Sequence, residues 1–242
     1  MKRKILEICA FSLQAAMNAE RAGADRIELC CGAAEGGTTP GYALIKKTLE
    51  TVSIPVFPII RPRGGNFRYS EDEFDMMRHD VELCKQLGCK GVTFSILLAD
   101  NSVDETRTSL LTELAFPMEV TFIRGFDIVP DPFKALNDIK ISGCKRILTS
   151  GQALKAIDAT SLLKQLIDEA RDEIVIMPAS GINTQNLQEI AANTGATEFH
   201  ASARMLISNN DTLLNQFGFG QLIDCNSAEV TAMRAILENG VE

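Results

Sequence analysis

Several features that would place this chain in a common protein class are missing from its sequence. No two cysteines have the Cys-x-x-Cys spacing of a zinc ribbon. No apolar run approaches the ~20 residues of a membrane-spanning helix, so we expect no membrane partner. The net charge is −8, from 24 Lys and Arg against 32 Asp and Glu, which argues against nucleic acid as a partner. No lysine stands at the end of a predicted strand, which argues against Schiff-base aldolase chemistry.

Seven cysteines are present, in a chain whose first residues are basic but show no secretory pattern. Glu7 interrupts the first apolar stretch, and no cleavage-type segment follows it. We therefore expect a cytoplasmic protein. In that compartment the cysteines should be reduced thiols rather than a disulfide framework.

An internal repeat indicates the fold. Four times a glycine follows an amphipathic stretch and precedes an apolar run by a few residues, and the copies begin at Gly23, Gly88, Gly143 and Gly195. Further strand candidates lie between them: "ILEICA", "VFPIIRP", "EVTFIRG" and "IVIMPAS". Strands alternating with helices in this way predict an α/β protein, a single (β/α)8 TIM barrel over residues 1–242. We expect an extended loop at about 206–226 and then a C-terminal helix.

Strand parity predicts which side chains point into the barrel, because side chains alternate between the two faces of a strand. In "ILEICA" the apolar positions form the helix-facing side, so Glu7 and Cys9 point inward. In "RIELC" the same rule turns Glu28 and Cys30 inward. Aligning the glycine copies puts His200 at the level of Glu28, near the C-terminal mouth where barrel active sites lie.

The end of the third predicted strand, "IIRPRGG", brings two arginines to the mouth of the barrel. Arg61 is in phase with the inward positions, and Arg63 stands at the rim. Guanidinium groups suit a carboxylate or a phosphate. Small residues after strands seven and eight, including Gly181 and Ser202, could add backbone donors. We expect a small anionic molecule here, although Arg61 could instead pair with an inward glutamate as a structural bridge.

The two inward cysteines suggest a metal. Neighbouring parallel strands run ~4.8 Å apart, so Cys9 and Cys30 can lie side by side. Two thiolates with few other ligands suit a soft ion such as Cu(I) better than magnesium or calcium. Free cysteines are also common as small buried apolar residues, so the residues alone leave the function of this pair open.

The remaining inward residues suggest catalysis as an alternative. Glu7, Glu28, Arg61 and His200 could form the catalytic site of an enzyme acting on a small phosphorylated or carboxylated molecule. Paired buried acids near an arginine are a setting in which the pKa of a carboxyl group is shifted. His200 could equally be a satisfied core residue.

Several motifs together resemble the CutC copper homeostasis family. They are "GADRIELC", "EGGTTPG", "IRPRGG", the "DPF-ALNDI--SG-KRILTSG" run and "TGATEFHASA", and the resemblance covers about residues 4–205. It implies a cytosolic (β/α)8 barrel that forms a homo-oligomer and binds cuprous ion. The copper-binding cysteines proposed for the family fall on Cys9 and Cys30.

Three positions depart from the family pattern. Ile123 replaces a histidine, Asn66 replaces an aspartate, and Ser180 interrupts a run of three glycines. If those groups serve an enzymatic site in the family, we expect this chain to have an altered or lost activity.

Overall fold

Strands and helices alternate along the part of the chain that the computed structural model describes, residues 3–207, 213, 216–217 and 222–239. The strands of the repeat are β1 (Ile5–Ala10), β2 (Arg26–Leu29), β3 (Val56–Pro58), β4 (Gly91–Phe94), β5 (Glu119–Phe122), β6 (Arg146–Thr149), β7 (Val175–Pro178) and β8 (Glu198–Ala201). The helices between them are α1 (Leu13–Arg21), α2 (Tyr42–Thr51), α3 (Glu71–Leu87), α4 (Glu105–Ala115), α5 (Pro132–Ile141), α6 (Thr160–Ala170) and α7 (Leu187–Thr194).

The strands form two parallel four-stranded sheets, in the orders β3-β2-β1-β8 and β4-β5-β6-β7. A parallel bridge between Ile59 and Thr93 joins β3 to β4, where Ile60 N donates to Thr93 O at 2.7 Å. β7 and β8 lie beside each other at the other junction. The predicted (β/α)8 barrel is confirmed.

Local sequence signals set where the helices begin and end. At the start of α3 the Ser70 hydroxyl accepts from Glu73 N at 3.1 Å, and the Glu73 carboxylate accepts from Ser70 N at 2.9 Å. The glycine of each repeat copy follows a helix and has a positive φ, which an L side chain rarely adopts. These φ values are 98° at Gly23, 83° at Gly88, 84° at Gly143 and 71° at Gly195.

Two separate apolar clusters confirm the strand faces that parity predicts. Leu6, Ile8, Ile27 and Leu29 are fully buried in the layer between strands and helices. A second cluster fills the barrel interior and consists of Cys9, Cys30, Ile59, Ile123, Leu148, Met177 and Ala179. The two faces of β1 and β2 therefore pack against different partners, as a period of two requires.

The segment after β8 differs from the prediction. β9 (Arg204–Ile207) and β10 (Leu222–Cys225) form an antiparallel pair, so the expected extended loop at 206–226 is wrong at both of its ends. The residues between them, apart from 213 and 216–217, lie outside the described residues. The predicted C-terminal helix is α8 (Ser227–Asn239). Within the described ranges, no helix has the length and apolar content needed to cross a membrane.

Candidate functional site

The lower part of the barrel interior is an ion network that joins four strands, β1, β2, β6 and β8. Arg26 donates to Glu7 and, at 2.6 Å, to Glu198. Arg146 donates to the same Glu198 carboxylate at 2.9 Å. Both guanidinium groups lie over the Phe57 ring, at 5.1 and 5.5 Å from its centroid. The network forms a rigid charged floor beneath the mouth of the barrel.

Arg26 is the partner that sequence reasoning missed. The alternative in which Arg61 bridges to Glu7 or Glu28 is wrong, because the Arg61 guanidinium donates to backbone carbonyls of nearby loops. Glu7 pairs with Arg26 instead. A signal was available, since Arg26 has the same parity as Glu28 two residues later. What strand parity does not show is the register, in which Glu7 lies opposite Arg26 on β2 and opposite His200 on β8.

Above this floor, His200 bridges two buried carboxylates. Its Nδ1 lies 2.7 Å from Glu7 Oε1, and its Nε2 lies 3.8 Å from Glu28 Oε2. Burial lowers the pKa of His200, but hydrogen bonds with Cys9 and Glu7 and the carboxylate charges outweigh burial and raise this pKa well above its usual value. The ring is therefore an imidazolium whose orientation Glu7 sets.

The two glutamates have opposite pKa shifts. Burial raises the pKa of Glu7, but Arg26 and His200 outweigh it and bring that pKa down to about 2. Burial also raises the pKa of Glu28. The hydrogen bond that Thr93 donates to Glu28 at 2.8 Å and the charge of His200 lower this pKa but do not outweigh burial, so the pKa of Glu28 stays raised. Of the two predicted acids, Glu7 is thus a fixed counter-ion and Glu28 is the one that can hold a proton.

We expect Glu7→Gln to lower the free energy of unfolding by an amount that depends on pH. The folded-state pKa of Glu7 is about 2, below the ordinary 4.5. Its contribution is therefore complete above about pH 4.5 and disappears as the pH falls toward 2. The difference from wild type should be on the order of 3 kcal/mol near pH 6 and shrink below pH 4.5. Urea unfolding at a series of pH values measures it, and a difference that stayed constant with pH would contradict the assignment.

The two predicted thiols lie together in the barrel. Cys9 Sγ and Cys30 Sγ are 3.7 Å apart, and both cysteines are free. This distance is well beyond the ~2.05 Å of a disulfide. The Glu28 carboxylate joins them, so that one ligand atom from each of the three residues lies within 4.8 Å of the others.

The thiols differ in acidity. The hydrogen bond between Cys9 and Cys30, together with the nearby His200, overcomes burial and lowers the pKa of Cys9. The same hydrogen bond and burial raise the pKa of Cys30 well above its usual value. Cys9 is thus the first thiol of the pair to ionise, beside an imidazolium that stabilises the thiolate.

A cavity of about 260 Å³ opens above the thiols at the C-terminal mouth. Cys9, Glu28 and His200 form its inner end, which follows from their positions along β1, β2 and β8. Ile59, Ile123 and Leu148 supply apolar wall. The residues toward the rim include Arg61, Arg124, Gly181, Ser202 and Arg204.

The two arginines predicted for anion binding occupy different places. Arg61 lines the cavity but donates to its own chain: to Glu35 O at 2.7 Å, Gly37 O at 2.8 Å and Gly65 O at 2.8 Å. Arg63 lies away from the cavity lining and pairs with Glu73 at 2.6 Å. The structure therefore does not bring Arg63 to the mouth as expected, because a closer carboxylate on α3 holds it.

Two of the three departures from the family pattern fall on the cavity. Ile123 and Ser180 line it. The Asn66 side chain accepts from Arg68 N at 3.1 Å and belongs to the loop after β3. Sequence reasoning missed Arg124 and Arg204 as cavity residues. The signal for Arg124 was its place at the end of the predicted strand "EVTFIRG".

Comparisons with known proteins agree with this architecture. The model of the CutC family matches residues 4–205. The family protein CutC of Chromobacterium violaceum is 48% identical over 201 residues, which cover 83% of this chain and 81% of the relative. The human copper homeostasis protein cutC homolog is 46% identical over 200 residues, which cover 83% and 73%.

Solved structures show the same fold. The CutC protein of Streptococcus agalactiae superimposes with a TM-score of 0.77 at 31% identity, and the match covers 81% of this chain and 97% of that one. N-(5'-phosphoribosyl)anthranilate isomerase of Pyrococcus furiosus superimposes with a TM-score of 0.60 at 15% identity, over 98% of this chain and 100% of that one. At that identity the likeness concerns the fold alone.

Proposed function

This chain belongs to the CutC family, and we propose that it takes part in copper homeostasis by binding Cu(I) through Cys9 and Cys30. The observation that carries the proposal is the pair of reduced thiols 3.7 Å apart, of which Cys9 lines the inner end of an open cavity and Cys30 is buried beside it. Relatives from mouse and human have copper homeostasis in their names.

The donor set favours Cu(I) over other common ions. Soft thiolates select Cu(I), whereas magnesium and calcium prefer a shell of oxygen ligands. Structural zinc takes four ligands. Among the described residues, the cluster offers two sulfurs and the Glu28 carboxylate, while the His200 ring is held by Glu7 and protonated. Two sulfur ligands match a soft monovalent ion best.

The surroundings of the thiols support their deprotonation when the metal binds. Ligand sulfurs must lose their protons, so binding releases protons. Cys9 gives up its proton readily, because its pKa is lowered. Cys30 keeps its proton in the absence of metal, since its pKa is raised well above the usual value. Glu28 beside both sulfurs is placed to accept that proton, as its own pKa is raised.

A Cu(I) titration tests the proposal. Protein kept under reducing, oxygen-free conditions competes for Cu(I) with a chromophoric chelator, and the absorbance of the chelate reports the free metal. We expect each chain to bind one Cu(I) in competition with the chelator. Protein that left all of the Cu(I) bound to the chelator would contradict the proposal.

We also expect a cytoplasmic homo-oligomer. Size-exclusion chromatography with light scattering measures the oligomeric state.

A further inference from the structure

The rim of the cavity is positively charged although the chain as a whole carries a net charge of −8. Three arginines line it, Arg61, Arg124 and Arg204. Among the described lining residues, Glu28 is the single acid, and it lies at the inner end. A concave surface with one sign of charge and low-dielectric walls concentrates ligands of the opposite charge.

Arg124 is oriented by its neighbours yet keeps donor capacity. Asp127 pairs with its Nε, and the same carboxylate accepts from Ser150 N at 2.9 Å, which fixes the acid in place. Nη2 of Arg124 lies 3.4 Å from Ser150 Oγ. Its Nη1 has no hydrogen-bond partner in the described part of the chain. A pre-oriented guanidinium loses little entropy when it binds a ligand.

Arg204 has no charged partner among the described residues. It is the first residue of β9, where its backbone pairs with Cys225. Its side chain is exposed, and it forms neither an ion pair nor a hydrogen bond with any residue of the ranges 3–207 and 222–239. Arginine without a carboxylate partner at a cavity rim is suited to bind one from a ligand.

Backbone donors of the loop after β7, which lies between β5 and β8 in the barrel, complete the rim. Ser180 and Gly181 line the cavity with φ values of 80° and 72°. Their two adjacent N–H groups donate to no group within the described residues, while Ser180 O accepts from Ala156 N. Successive free N–H groups of this kind form anion-binding concavities in many proteins.

We infer that this rim binds the oxyanion group, a phosphate or a carboxylate, of a small organic molecule whose remainder extends toward Cys9, Glu28 and His200. Three observations carry the inference: the orientation of Arg124, and, within the described residues, the lack of a partner for the Arg204 side chain and for the N–H groups of Ser180 and Gly181. The cavity volume of about 260 Å³ suits a small molecule, since pockets for drug-sized ligands run to ~300–1,000 Å³. The inference is independent of the copper proposal.

Thermal unfolding with simple anions tests the inference. Wild-type protein is measured with inorganic phosphate, with acetate and with chloride at matched ionic strength. A ligand that binds only the folded state raises Tm, and at about ten times Kd the rise should be about 3 to 6 °C. A rise with phosphate identifies a phosphoryl group, and a rise with acetate alone identifies a carboxylate. No rise with either anion beyond the chloride value would overturn the inference.

Variants then locate the site. Arg204→Gln should lose most of the rise, and it should fold because its side chain has no partner among the described residues. Arg124→Gln should lose it as well. Arg21→Gln, an exposed arginine on α1 away from the cavity, should keep the full rise. A full rise in Arg204→Gln and Arg124→Gln would also overturn the inference. The Cys9→Ser, Cys30→Ser double variant should keep the rise, which separates this site from the copper proposal.

Discussion

Cys9→Ser and Cys30→Ser should each weaken Cu(I) binding by on the order of 100-fold or more. Each variant removes half of the sulfur pair and leaves a hydroxyl, which is a poor ligand for a soft ion. The sulfurs are 3.7 Å apart, and Glu28 is the third group of the cluster in the described residues. The cluster therefore contains no third thiol that could replace the one removed. Competition with a chromophoric Cu(I) chelator gives the affinities.

Two other cysteines provide matched controls. Cys31 is adjacent to Cys30 in sequence but half-buried and outside the cluster, and its backbone pairs with Thr38. Cys84 is buried on α3, away from the barrel interior. Cys31→Ser and Cys84→Ser should bind Cu(I) as wild type does. Equal affinity in wild type and the Cys9→Ser, Cys30→Ser double variant would remove the basis for the copper proposal.

Arg26→Met should lower the free energy of unfolding by about 3–5 kcal/mol, because it leaves charged groups buried without their partner. Arg26 is 6% exposed and contacts both Glu7, which is fully buried, and Glu198. The apolar stem of methionine keeps most of the packing against Phe57, so the loss reports the charge rather than a cavity. Urea unfolding followed by circular dichroism measures it.

A second substitution tests whether the buried carboxylate causes the loss of stability, and a surface arginine provides a control. Adding Glu7→Gln to Arg26→Met removes the orphaned carboxylate and should recover part of the loss, so that the two changes are not additive. Arg78 on α3 forms an exposed pair with Asp75, and Arg78→Met should change stability by about 0.5 kcal/mol or less. A loss under about 1 kcal/mol in Arg26→Met would show that the network contributes little to stability.

The sequence predicts the inward residues correctly because strand parity is a local property. Glu7, Cys9, Glu28, Cys30 and His200 all meet inside the barrel. A period of two assigns each side chain to a face without any knowledge of the neighbouring strand. The sulfur pair could be predicted too, since Cys9 and Cys30 stand at equivalent positions on consecutive strands.

The contacts that were missed depend on register and loop path. The Arg26–Glu7 pair requires Glu7 to lie opposite Arg26, and that register follows from barrel closure rather than from either strand alone. Arg61 has the predicted parity, yet its donors reach the carbonyls of Glu35 and Gly37, which depend on how the loop after β2 turns. Arg204 lies on β9, whose antiparallel pairing with β10 does not follow from a repeat of parallel strands.

The inward geometry is confirmed, while the metal role of Cys9 and Cys30 stays a proposal. The catalytic role suggested for Glu7, Glu28, Arg61 and His200 stays a prediction. The geometry makes Glu28 and His200 the two groups of that set that face the cavity and can exchange protons.

X-ray absorption at the copper K-edge of the Cu(I)-loaded protein tests the central claim most directly, because it identifies the atoms bound to the metal. We predict a first shell that contains two sulfur atoms. Cys9→Ser and Cys30→Ser should each remove one of these sulfurs, while Cys31→Ser should remove neither. A first shell made only of nitrogen and oxygen, or a two-sulfur shell that survives the Cys9→Ser, Cys30→Ser double substitution, would contradict it.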